Sequence, residues 1–149
     1  MARYIDSILQ PGEKLLYSTT LHGIIYLPGF LCWLVAAVAV AGGALMPPLL
    51  IVAAVFTVIG FVLVIRAWFR RWTTETDVTT LRVVHKEGFI QRKTFEMSLE
   101  KVESVDVDQT VLGRILGYGD VTIRGVGEGF KTINMIGSPI EFRNQITTR

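Results

Sequence analysis

The chain of 149 residues is poor in the residues that usually make chemistry, with one cysteine and two histidines. A lone Cys32 excludes an intrachain disulfide and any cysteine-based metal cluster. His22 and His85 stand far apart and lack the HExxH or Cys/His spacing of a zinc site, so no metal and no cofactor is expected. No Walker loop, dinucleotide fingerprint or nucleophile elbow occurs. Glu100, Glu103, Asp106 and Asp108 cluster in sequence, but with no histidine or metal motif beside them they read as the solvated face of a strand. Asp106 and Asp108 share that face, joined by Glu100 if the strand is regular there. No catalytic residue is assigned, and an enzyme is not expected.

The most telling shortage is of charge. Residues 23–65 contain no Asp, Glu, Lys or Arg, a run of about 43 residues. One membrane crossing needs roughly 20, so the run has to fold back on itself. Met46-Pro47-Pro48 is the place for the turn, because adjacent prolines remove backbone donors and push the residue before each out of the helical region. Gly42 and Gly43 loosen the helix end just before it. Spans of about 24–45 and 49–68 follow, within a hairpin of residues 23–71. A hairpin buried in a soluble core would need a polar face that neither segment has. A cleaved signal peptide, suggested by Ala39-Val40-Ala41, is opposed by the long stretch before the run, where only Arg3 and Lys14 are basic, and by the second span directly after it. Ala36, Ala37, Ala41 and Gly42 read as a surface of small residues where two membrane helices approach closely, and Cys32 as an apolar thiol within the first span.

Short loops rich in Lys and Arg stay on the cytoplasmic side. Arg66, Arg70 and Arg71 follow the second apolar run, whereas the hairpin tip carries no charge, so both termini are expected in the cytoplasm of a bacterial inner-membrane protein. Trp68 and Trp72, with Tyr26 and Trp33, fit an interfacial aromatic belt. His22 ends the polar segment where the apolar run begins.

The remaining segments alternate in short steps. In the cytoplasmic segment 1–22, the turn signal Gln10-Pro11-Gly12-Glu13 precedes a short strand, residues 14–20. From residue 72 to residue 149 the period-two pattern of an antiparallel sheet takes over. Strands are expected at 73–78, at 81–86 with Leu81, Val83 and His85 on one side, and at 89–99 with Phe95, Met97 and Leu99 on one side. Further strands hold Val105, Val107 and Gln109, then Val121 and Ile123, then Ile133 and Met135. Several such strands in succession suggest a meander or barrel. The glycines at 125–129 lie between two of them and form a hairpin loop, since no helix start follows to hold a phosphate. Residues 110–116 read as one or two helical turns stopped by Gly117. Ser138-Pro139-Ile140-Glu141 places a capping serine, a proline at the first helical position and a glutamate at the third, and Phe142 and Ile146 lie four apart on the face of that terminal helix that packs on the sheet.

Two apolar helices, short strands, the segment Leu112-Gly113-Arg114-Ile115-Leu116-Gly117-Tyr118-Gly119 and a capped terminal helix together resemble the bacterial PH domain-containing membrane proteins. The most specific stretch runs from Leu99-Glu100-Lys101-Val102-Glu103-Ser104-Val105 through Gln109 to Gly119-Asp120-Val121-Thr122-Ile123. Gly88-Phe89-Ile90-Gln91-Arg92 and Pro11-Gly12-Glu13-Lys14 add to it. The resemblance implies an α+β membrane protein, in which a two-helix transmembrane hairpin is followed by a PH-like split β barrel closed by a short C-terminal helix. It implies self-association as well.

Charge narrows the partners. From residue 72 onward acidic and basic residues nearly cancel, so a nucleic-acid partner is not expected. Specific inositol-phosphate binding needs a basic loop between the first two strands, which here is only Thr79-Thr80. The expected role is assembly or scaffolding at the cytoplasmic surface, as a homo-oligomer or with another membrane protein. Leu112, Arg114, Ile115, Leu116, Tyr118 and Phe142 are the candidate contacts. A second reading is lipid or small-ligand sensing with Arg66, Arg70, Arg71 and Arg92 against head groups. A third is a small subunit of an oligomeric membrane or transport complex, since two spans without intramembrane charge form no ion pathway alone.

Overall fold

A computed structural model describes residues 5, 8–88, 93–127 and 129–148. The chain divides into two compact units, one of Met1–His22 with Trp72–Arg149 and one of Gly23–Arg71.

The Gly23–Arg71 unit is the helical hairpin. A 3-10 turn, Gly23–Tyr26, leads into helix α1, Leu27–Gly43, and helix α2 runs Leu49–Thr73. Both pieces are long and apolar enough to cross a membrane. Only 17% and 11% of their most apolar windows are buried, the reverse of a helix in a soluble core. Two boundaries differ from the sequence reading. The α-helix starts at Leu27 rather than 24, the residues before it forming the 3-10 turn, and Pro28 sits in its first turn, where a missing N–H breaks no helical bond. The second helix passes the expected end at 68 and stops at Thr73, with Arg70 and Arg71 in its last turn, where positive charge suits the helix dipole. At about 1.5 Å per residue its 25 residues outreach the roughly 30 Å hydrocarbon core.

The helices touch through small residues. Gly29, Ala36, Ala39 and Gly43 are the buried positions of α1, and Ala53 is buried on α2. Gly29 and Gly60 mark the closest approach, since a Cβ on Gly29 would stand 3.2 Å from the Gly60 carbonyl oxygen and one on Gly60 equally close to that of Gly29. Trp33 fills the space beside them. Its indole N–H donates to the Thr57 carbonyl at 3.3 Å, and its ring meets Phe61 edge-on at 5.0 Å. Of the small residues named from sequence, Ala36 faces the partner helix, Gly42 is half-buried, and Ala37 and Ala41 face outward. A 100° step per residue puts 36, 39 and 43 on one side and 37 and 41 off it.

Among the described residues of the other unit, seven strands form two antiparallel sheets. The first has the order β1 (Leu15–Thr19), β2 (Glu75–Thr79), β3 (Arg82–Glu87) and β4 (Lys93–Ser98). The second has the order β5 (Val102–Asp108), β6 (Tyr118–Gly125) and β7 (Phe130–Gly137). Helix α3, Val111–Leu116, links β5 to β6, and helix α4, Pro139–Thr147, ends the chain. The fold is thus a helical hairpin with a PH-like two-sheet domain and a C-terminal helix.

One feature departs from the expected order of hairpin first and sheet second. β1 precedes the hairpin and pairs with β2, Thr19 opposite Thr76, so the hairpin is an insertion between two neighbouring strands. Thr73 belongs to α2, so β2 begins at Glu75 rather than at 73.

The sheets meet along β1 and β7. Leu21 bridges to Ile136, the His22 N–H donates to the Met135 carbonyl at 2.7 Å, and the Thr19 hydroxyl donates to the Gly137 carbonyl at 2.9 Å. Val78 and Val83 from one sheet and Val121, Ile123, Ile133 and Ile136 from the other fill the core. Phe142 and Ile146 of α4 close it, as their four-residue spacing predicts. The expected serine cap does not form. Ser138 holds the N-cap position in the left-handed conformation (φ 50) with no side-chain bond to the helix. The helix at 110–116 is built as expected, with the Thr110 hydroxyl accepting from the Gly113 N–H at 3.0 Å and Gly117 supplying the left-handed stop (φ 76).

Candidate functional site

Two sets of polar groups inside the β unit bond to one another. Glu13, from the Pro-Gly-Glu-Lys motif, buries its carboxylate beside the β2–β3 turn. Its Oε1 accepts from the Thr79 hydroxyl at 2.6 Å and from Arg82 Nε at 3.1 Å, and its Oε2 accepts from Arg82 Nη2 at 3.1 Å and the Gln10 N–H at 2.9 Å. Burial alone would raise this carboxyl's pKa, but the bonds from Thr79, the Gln10 amide and Arg82 outweigh it and hold it below the ordinary range. Arg82 spends its other donors on Glu96 at 2.8 Å and the Ile8 carbonyl at 2.7 Å. A pocket of about 410 Å³ opens here, lined by Gln10, Leu81, Arg82, Glu96, Ser98 and Glu100, but its guanidinium is already satisfied by carboxylates and its remaining charges are acidic. It suits no anionic head group. The motif is a lock tying the amino-terminal segment to β3.

A second chain joins the two sheets. The Thr76 hydroxyl lies 2.8 Å from His85 Nδ1, His85 Nε2 lies 3.0 Å from Glu87, and Glu87 meets Lys131 of the other sheet at 3.6 Å. Desolvation lowers the pKa of the buried His85 against the opposing pull of Glu87, and the bond from His85 lowers that of Glu87. The ring of His85 ties Thr76 of β2 to Glu87 of β3.

The carboxylates of β5, an edge strand of its sheet, are exposed, as a solvated face requires. Glu103, Asp106 and Asp108 lie on β5, with Asp106 paired to Arg124 at 3.1 Å. Glu100 falls in a 3-10 turn, Leu99–Lys101, so the regular strand that would align it with Asp106 does not extend that far. Residues 125–129 form the β6–β7 turn, closed by the Gly125 N–H on the Gly129 carbonyl at 2.8 Å, with Glu128 outside the described residues. Among the described residues no group of three His, Cys, Asp or Glu could hold a metal ion.

Of the residues named from sequence for lipid contact, Arg66, Arg70 and Arg71 are exposed on the last turns of α2. Arg92 lies outside the described residues, as do Phe89, Ile90 and Gln91. Of the six residues named for protein contact, Leu112, Arg114, Ile115 and Leu116 project from α3. Tyr118 is half-buried with its ring stacked 5.3 Å from that of His22. Phe142 is wholly buried in the core and presents no contact surface, because its side of α4 is the side the sheets cover.

Two exposed apolar clusters remain on the β unit. On α3, Val111, Leu112, Ile115 and Leu116 are between 49% and 76% exposed, so every large apolar side chain of that helix points away from the core. At the β6–β7 turn, Val126 is 75% and Phe130 69% exposed beside the half-buried Met97, whose Sδ and Cε crowd Gly125. The second cluster is not among the sequence expectations, which name Ile133 and Met135 on β7 but not Phe130; that residue lies opposite Arg124 and in phase with the exposed Thr132, on the outer face of the sheet.

A family model described as Bacterial PH domain matches residues 23–145. No curated protein and no solved structure matches the chain.

Proposed function

The chain belongs to the bacterial PH domain family, and from that premise we propose that it is a multi-pass inner-membrane protein whose PH-like unit serves, without catalysis, as an assembly surface in the cytoplasm. The insertion of the hairpin between paired strands supports this topology. Thr19 and Thr76 are opposite one another in one sheet, so the chain leaves the β unit for the hairpin and returns to the same place. Two helices that cross a bilayer under that constraint cross it twice and bring both termini to one side. The arginines at the end of α2, against a tip with no charge, support the cytoplasm as that side.

The observation that carries the assembly role is the β6–β7 turn. A fold that buries Ile123 and Ile133 almost completely leaves Val126 and Phe130 in water, three residues from Ile123 and Ile133 respectively. Large apolar side chains grouped on a surface mark a contact with another chain. Lys101, whose carbonyl accepts the Val126 N–H, and Lys131 flank this cluster. Amine-reactive crosslinking in native membranes, read by mass spectrometry, is expected to link Lys101 or Lys131 to a second copy or to another membrane protein, and Phe130→Ser is expected to abolish those links. A chain that remains monomeric and unlinked in the membrane removes the assembly role.

A further inference from the structure

We infer that helix α3 is a lipid contact, dipping its apolar side chains into the interfacial layer of the bilayer that holds the hairpin; the inference rests on the membrane reading of that hairpin. Its place in the fold carries it. Leu116 is two residues from Tyr118, whose ring stacks on His22 at 5.3 Å, and His22 is followed directly by Gly23, where the apolar run begins. The β unit therefore carries α3 beside the point from which its own chain departs for the membrane. Lipid is at high effective concentration there, and no other partner is needed to bring it.

The chemistry of α3 suits that partner. Val111, Leu112, Ile115 and Leu116 are a cluster of aliphatic side chains, and the only charge within the helix is the cation Arg114. An apolar tip with one snorkelling cation matches the boundary between acyl chains and anionic head groups. The helix is also held firmly enough to act as a wedge. Thr110 caps its start, Gly117 turns its end, and the Gln109 side-chain amide donates to the Tyr118 carbonyl at 2.9 Å across its base. Six residues make a ridge rather than a groove, so the shape offers no seat for a peptide.

The test uses the full chain with Cys32→Ala, reconstituted in phosphatidylethanolamine–phosphatidylglycerol vesicles, with an environment-sensitive fluorophore on a single introduced cysteine. At Ile115→Cys the expected emission is blue-shifted, quenched by lipid spin-labelled on its acyl chain and insensitive to aqueous iodide. At Glu103→Cys, about 17 Å back along β5 from Asp108 at a strand's rise per residue, the probe is expected to stay aqueous. A third probe, at Val58→Cys within α2, separates the two ways of failing. If position 58 is quenched by lipid while position 115 is quenched by iodide, the lipid role of α3 is wrong and the membrane reading stands. If both are quenched by iodide, the membrane reading itself is wrong. A probe at 115 that is shielded from iodide, unaffected by spin-labelled lipid and re-exposed when the protein is diluted with lipid would place another protein chain on the ridge, and overturn the assignment to lipid.

Discussion

The two units of this chain obey one rule in opposite senses. In the hairpin large apolar side chains such as Leu34, Val38, Ile51 and Val58 point outward, and the helices approach through the small residues Gly29, Ala36, Ala39, Gly43 and Gly60, against which Val64, Leu50 and Trp33 pack. In the β unit the core is built of valines and isoleucines, Val78, Val83, Val121, Ile123, Ile133 and Ile136 among them, and the exposed positions of the edge strand β5 hold Glu103, Asp106 and Asp108. Burial of apolar surface drives the second arrangement because water is its solvent. In lipid that drive is absent, and close packing of small residues is what remains to hold helices together. Side-chain polarity thus reports the solvent of each unit, and side-chain size reports where its contacts are.

The sharpest way to break this comparison is to delete the same kind of mass from both units. Phe142→Ala removes a ring buried on every side and is expected to cost about 3–5 kcal/mol. Val58→Ala removes methyl groups from an outward face and is expected to change stability by no more than about 0.5 kcal/mol. Thermal unfolding of the detergent-solubilised chain, followed by near-ultraviolet circular dichroism, should show a fall in Tm of at least about 10 °C for the first and little change for the second. Similar shifts for the two would mean that the hairpin is packed like a soluble core.

A smaller effect probes the hairpin's own contact. A Cβ at position 60 would sit 2.4 Å from the Trp33 ring and 3.2 Å from the Gly29 carbonyl oxygen, neither of which gives way cheaply. Gly60→Ala is therefore expected to loosen the hairpin by roughly 1–3 kcal/mol, although alanine favours helix more than glycine does. Cys32, half-buried on α1, is the native probe, and its reaction with a membrane-permeant maleimide should quicken in Gly60→Ala and stay unchanged in Gly12→Ala, a substitution in the other unit.

The hairpin was legible in the sequence because its signals are local: a run without charge, two prolines and a basic flank. The turn at 110–117 was legible for the same reason, with Thr110 and Gly117 bracketing a few helical residues. What stayed hidden depends on distant partners. Nothing near Glu13 announces Arg82, 69 residues away, so the Pro-Gly-Glu motif shows in the sequence as a turn and in the fold as a buried ion pair. Nothing near residues 15–19 announces that their partner strand lies beyond the whole hairpin. The serine of the terminal helix has the right neighbours for a cap, but its backbone is left-handed where β7 passes into α4, and its side chain makes no cap bond. Phe142 was placed on the packed face by its spacing to Ile146 and also counted among surface contacts, and only the first of these readings survives its burial.

Acid should affect the two units unequally, and this is the smallest of the expected effects. Residues 23–65 contain no Asp, Glu, His, Lys or Arg, so the apolar core of the hairpin has no such group to protonate. In the β unit, burial lowers the pKa of His85 from its ordinary 6.5, so the unfolded chain binds a proton that the folded chain resists. The stability tied to this group is complete above pH 6.5 and declines as pH falls from there toward the lowered value. Glu13 and Glu87, both held below the ordinary 4.5, add a second decline beginning under that pH. The Tm of the β unit should therefore drop in two stages on acidification, while the helical far-ultraviolet signal of the hairpin persists. His85→Gln keeps a polar side chain beside Thr76 without the titrating ring, at some cost in overall stability. It should erase the stage below pH 6.5 and shrink the one below 4.5 to the part carried by Glu13, because His85 is the main cause of the lowered Glu87, whereas an unchanged first stage would move the acid sensitivity away from the Thr76–His85–Glu87 chain and onto other groups of the β unit.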